Sequence, residues 1–142
     1  MGDGKLTTAD YPLAEKRPDL IRGPRGKPLA DITLDAVMAG DVALEDLRIT
    51  PEALNLQAEV ALSARRPMLA ENFERASELV DVPQDFIMQV YELLRPGRAK
   101  DKAPLLEAAR TLRETYRAER MAAFVEEAAA VYERRGIFTH RF

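Results

Sequence analysis

Prolines at positions 67, 83 and 96 cut the segment PMLAENFERASELVDVPQDFIMQVYELLRPGR into two helix-length runs, and no other stretch limits the fold of this 142-residue chain so tightly. Leu69, Phe73, Ala76 and Val80 recur at steps of four, three and four, which sets them on one face of a first helix. Val82-Pro83 ends that run, because a residue before proline is pushed away from helical geometry. Pro83 suits the first turn of a second helix, whose stripe is Ile87, Val90, Tyr91 and Leu94. Arg95-Pro96-Gly97 closes it. The expectation is a helical hairpin from Pro67 to Arg98.

Residues 1–30 read differently. Pro12, Pro18, Pro24 and Pro28, with Gly23 and Gly26, allow no helix longer than about a turn, and the apolar residues keep no period. This is an extended arm, locally basic through Lys16, Arg17, Arg22, Arg25 and Lys27. Two readings stand: a disordered tail, as polar proline-rich segments often are, or a segment that orders against a partner. Tyr11, Pro12, Leu13 and the Leu20-Ile21 pair are anchors of the kind the second reading needs.

The rest, residues 31–142, is read as one helical domain of four to five helices. Thr33 caps a short helix through Leu34, Val37 and Met38 that Gly40 stops, and Leu44 and Leu47 are expected to tuck back onto the body. Thr50-Pro51-Glu52 starts a helix running through Leu54, Ala58, Ala61 and Leu62. The last element is predicted as one long helix from Ala103 to Arg134, about 45 Å at the usual rise. Its apolar face shifts partway, from Leu105, Ala109, Leu112, Tyr116 and Ala123 to Met121, Phe124, Ala128 and Val131. One half would pack internally and the other would meet another part of this chain or a different polypeptide. The fold class is all-α.

Composition excludes several functions. Zero cysteines remove disulfides, thiolate metal ligation and a cysteine nucleophile. Net charge of −3 gives no general pull toward nucleic acid, and no apolar run is long enough to span a membrane. The N-terminal residues lack a basic region followed by an apolar run, so a soluble intracellular protein is the default expectation.

Reactive constellations are equally scarce. His140 is the only histidine, and a lone imidazole assembles neither a triad nor a metal site. Glu71, Glu74 and Glu78 share a helix face, but a bundle metal site would need histidines on facing helices. Gly23-Pro24-Arg25-Gly26-Lys27 superficially matches a phosphate loop yet lacks the preceding strand and the hydroxyl residue after lysine. Arg110, Arg113, Arg117 and Arg120, spaced three, four and three, would form one strip of the last helix. That strip is either paired within the helix to Glu107 and Glu114 or turned to an acidic partner. The chain is therefore a binding module, or a subunit of an enzyme whose reacting groups lie on another chain.

Six blocks carry a family resemblance. They are DYPLA at 10–14, GKPLADITLDAV at 26–37, DLRITPEALNLQA at 46–58, NFERASELVDVP at 72–83, LRPGR at 94–98 and AAFVEEAAAVY at 122–132. In order and spacing the chain resembles the small (gamma) subunit of the adenosylcobalamin-dependent propanediol and glycerol dehydratases. GKPLADITL leans toward the glycerol enzymes, RITPEALNLQA and NFERASEL toward the diol enzymes.

The resemblance implies a heterohexamer with two copies each of large, medium and small subunits, which converts a 1,2-diol or glycerol to an aldehyde and water by a radical route. The large subunit would be a TIM barrel holding substrate and metal, with the corrin between large and medium subunits. The small subunit would supply no catalytic, cofactor-binding or metal-binding side chain. It would pack on the large subunit, with Tyr11, Pro12, Leu13, Arg22, Arg25, Arg113, Arg117, Phe124 and Val131 as candidate contacts. No nucleic acid or membrane partner is implied, and the location is cytoplasmic, with enclosure in a bacterial microcompartment as the family's variant. Two other readings remain: a stand-alone helical adaptor using the Arg110/Arg113/Arg117/Arg120 strip on an acidic protein or nucleic acid, and a transient reactivating-factor-like partner of the same enzyme.

Overall fold

The chain's turn residues fix where its helices stop, and a computed structural model describes residues 4–138. His140 lies outside the described residues. Among these the regular structure is helical, with one isolated bridge between Arg22 and Pro28. The all-α expectation holds. The chain divides into two compact units, Met1–Val80 and Asp81–Phe142.

In the first unit the arm packs against its own chain. Thr7 caps a single turn, Thr8–Asp10, and Asp10 returns a bond to the Thr7 amide at 2.9 Å. A one-turn helix α1 (Leu13–Lys16) and a further turn at Pro18–Leu20 follow. Leu6 and Leu13 are buried with Val60, and Leu20, Ile21 and Leu56 pack against them. Two polar ties fix the register: the Leu6 amide donates to Glu59 at 2.9 Å and the Thr8 amide to the Ser63 hydroxyl at 3.2 Å. These contacts seat the described part of the arm on the helix carrying Val60.

Beyond a tight loop at 21–29, α2 (Leu34–Ala39) starts on Thr33, whose hydroxyl accepts from the Ala36 amide at 3.1 Å, and stops at Gly40 with φ +81°. Thr50 caps α3 (Pro51–Ser63) in the same way, with proline at the first helical position. α3 and α4 (Pro67–Leu79) form a hairpin around Ala58, Ala61 and Ala70, with Phe73 packed alongside. The turn between them places Arg65 at φ 59°. The Arg65 amide bonds the Leu62 carbonyl and the Arg66 amide bonds the Ala61 carbonyl, a paired-bond helix ending that usually takes glycine.

The second unit holds α5 (Gln84–Leu94), α6 (Ala103–Glu114) and α7 (Glu119–Arg135). The two helices expected over 67–98 both form, but the unit boundary falls between them. α4 instead pairs with α3, and α5 packs on α6. The single long helix over 103–134 is also corrected. It breaks after Glu114, with Arg117 at φ 55° and the Ala118 amide bonded to the Leu112 carbonyl at 2.8 Å. The shift in apolar face marked this break. Folding α7 back on α6 lets Leu105, Ala109 and Leu112 share one seam with Ala122, Val125 and Ala129, which a straight rod could not do. Tyr132 donates its hydroxyl to the Leu94 carbonyl, and Phe86 meets Tyr116 at 5.4 Å between centroids.

Candidate subunit interface

Between α2 and α3 the chain has too little helix to hide its apolar residues. α2 is only six residues long, and the turn Leu44–Leu47 that follows has four. Such short elements present one narrow side inward. In the turn that side is taken by Asp46, 1% exposed, with Val42 just before it. Leu44 and Leu47 therefore do not tuck back as expected; they are 79% and 58% exposed. Leu34, Val37, Met38 and Ile49 are exposed as well, so six large apolar side chains within sixteen residues face solvent.

A polar clasp from the arm holds this segment in shape. Asp46 accepts from the Ala43 amide at 2.9 Å, closing its own turn. The Arg25 guanidinium grips the same carboxylate two-handed, Nε to Oδ1 at 2.7 Å and Nη2 to Oδ2. Lys27 donates to the Asp41 carbonyl. Gly23 lies so close that a Cβ there would sit 2.6 Å from the Asp46 carbonyl oxygen, so the loop backbone rests directly on the turn. The Arg25 guanidinium, then the Ala43 amide, hold the Asp46 carboxyl down at about 2, below its ordinary 3.8. Gly23 to Lys27 is thus a loop, as read, whose cations bind this chain's own oxygens.

The sequence-predicted contacts scatter. Leu13 is in the core of the first unit, while Tyr11, joined to Pro12 through a cis peptide, is exposed beside a groove lined by Val60, Ala61, Arg66, Leu69 and Phe73. Arg22 donates to the Gly26 carbonyl at 3.2 Å, and Arg25 is committed to Asp46. The four-arginine strip does not survive the helix break. Arg110 pairs with Glu107, whereas Arg113 bridges Glu119 at 2.8 Å and Glu126 at 2.6 Å, tying α6 to α7. That double pairing raises the Arg113 pKa, Glu126 first and Glu119 second, and lowers that of Glu126. Arg117 is exposed at the turn, Phe124 is 39% exposed and Val131 half-buried. The buried face of α7 is instead Ala122, Val125 and Ala129.

The exposed segment from Leu34 to Ile49 was not foreseen, because Leu44 and Leu47 were expected to tuck back onto the body. A signal was present, since seven large apolar residues from Leu34 to Ile49, Val42 included, crowd a stretch whose regular structure is one six-residue helix and one turn. Among the described residues no group of three or more carboxylates, histidines or cysteines could hold a metal ion, and no helix is long and apolar enough to cross a membrane.

Comparison with known proteins bears on the role of the exposed segment. The model of the dehydratase small subunit matches residues 6–139. The chain belongs to the dehydratase small-subunit family. It is 49% identical over 126 residues to the propanediol dehydratase small subunit of Citrobacter freundii, covering 89% of this chain and 73% of that one. It is 48% identical over 127 residues to the protein of the same name from Salmonella typhimurium, with the same shares covered. A dehydratase small subunit implies partner subunits. The matched residues include the arm clasp and the exposed segment, so both lie within the family's common region.

Proposed function

We propose that this chain is the non-catalytic small subunit of an adenosylcobalamin-dependent dehydratase acting on propanediol or glycerol, and that it binds and stabilises the large subunit. The observation that carries the reading is the exposed apolar segment from Leu34 to Ile49, on a chain whose family implies partner subunits. About 25 cal/mol per Å2 of apolar surface removed from water makes such a segment worth covering.

Adenosylcobalamin in this reading is held by the large and medium subunits, two copies of each of the three chains making up the enzyme. The groove lined by Asp85, Met88, Gln89, Glu92, Leu93 and Arg98 is open on one side and offers no imidazole or thiolate. The cofactor, when bound, supplies the radical chemistry of the reaction, and no step of it is assigned to a side chain of this chain.

Co-expression with and without neighbouring reading frames tests the proposal. A complex with a chain of TIM-barrel size should co-purify and form aldehyde from propanediol or glycerol once adenosylcobalamin is added, and the lone chain should form none. Turnover by the lone chain, or failure to co-purify, overturns the reading.

A further inference from the structure

The exposed segment carries charge as well as apolar surface. Asp31, Asp35, Asp41, Glu45 and Glu52 are all exposed around it, and Arg48 is the only basic residue from 31 to 52. No ion pair joins any of those five carboxylates to a described residue. The nearby cations of the arm are already committed, Arg25 to Asp46 and Lys27 to the Asp41 carbonyl. The one carboxylate that is neutralised, Asp46, is the one that turns inward.

We propose that the Leu34–Ile49 face is the docking surface for the large subunit, and that the large subunit meets it with an apolar patch ringed by lysines and arginines. This rests on the function proposed above and adds the place of contact and the chemistry of the partner. Charge decides the occupant. A second copy meeting the same face across a two-fold axis would press two acidic rims together, at a cost that grows as water leaves the contact. A basic ring gains from the same geometry and steers encounter. The clasp gives the face its shape before binding, so little ordering is required when the partner arrives.

The test uses the full chain, the isolated large subunit and light scattering for mass. Met38→Asp combined with Leu44→Asp changes side chains that are 80% and 79% exposed, so helicity by circular dichroism should be unaltered. Affinity for the large subunit should fall at least tenfold, about 1.4 kcal/mol. Asp35→Lys combined with Glu45→Lys should slow association several-fold at low salt, a difference that shrinks at about 0.5 M salt. If the wild type binds and the apolar double variant binds equally well, the docking face is wrong and the function stands. If no wild-type complex forms, the proposed function falls and this inference with it. Concentration-dependent dimerisation of the lone chain that the apolar variant abolishes would hand the face to a second copy and overturn the assignment.

Discussion

Both units turn on the same device, a helical hairpin closed by an arginine in the left-handed region, Arg65 between α3 and α4 and Arg117 between α6 and α7. What they do with it differs. Among the described residues, the fully buried large side chains of the second unit are Leu105, Leu112 and Val125, a dry apolar seam; the one in the first is Asp46, a carboxylate. Of the fourteen large apolar side chains exposed among the described residues, ten lie before Val80. The second unit encloses most of its large apolar residues. The first adds polar ties to its apolar clusters, Glu59 to the Leu6 amide, Ser63 to the Thr8 amide and Arg25 to Asp46, and leaves more leucines and methionines on the outside.

Removing core volume should separate the two units most sharply. Leu112→Ala takes a side chain 1% exposed out of the α6–α7 seam and should cost about 2–5 kcal/mol in urea unfolding. The equivalent truncation on the exposed face, Leu44→Ala, should change stability by less than about 0.5 kcal/mol. Equal losses would show that Leu44 is covered within the lone chain and would dissolve the contrast.

The first unit should instead be sensitive to backbone approach. Gly23→Ala places a Cβ 2.6 Å from the Asp46 carbonyl, so the loop must lift from the turn, at about 1–3 kcal/mol. Gly26→Ala is the comparison, because nothing lies within 4 Å of a Cβ there and only its φ of +83° opposes the change. A Gly23 variant as stable as wild type would mean that the clasp does not seat as described.

These contrasts explain what the sequence disclosed. Helix starts at Thr33 and Thr50 and the stop at Gly40 were legible, because capping is local chemistry written in a few adjacent residues. Pairing was not. Pro67 and Pro83 mark where α4 and α5 begin, yet nothing in their stripes says that α4 answers α3. The turn at Arg117 was hidden because the usual glycine is missing; only the displaced apolar phase betrayed it. The interface was the least legible part. A leucine bound for a core and one bound for a partner look alike in sequence, and what separates them here is a contact twenty-one residues away, between Arg25 and Asp46.

Acid should act on the clasp. With the Asp46 carboxyl at about 2 in the folded chain and 3.8 ordinarily, the native state binds fewer protons than the unfolded state between those values. The pair's contribution is thus complete above the ordinary value and is lost as pH falls through about 2. Carbon-13 shifts should give an Asp46 midpoint near 2, with loop residues Gly23 to Lys27 moving in step. Asp46→Asn should lack that step. A midpoint at the ordinary value would mean that Arg25 does not hold the carboxylate in solution.

The smallest effect tests the device the two units share. An L residue in the left-handed region costs about 1 kcal/mol relative to glycine, which gives some of that back through a freer unfolded chain. Arg65→Gly and Arg117→Gly should therefore each stabilise the lone chain by about 0.5 kcal/mol, read from paired urea titrations. Equal gains would mean that both arginines are simple helix stops. If Arg65→Gly stabilises while Arg117→Gly does not, the Arg117 guanidinium is engaged on the second unit, and the two hairpins close by different means despite their matching φ angles of 59° and 55°.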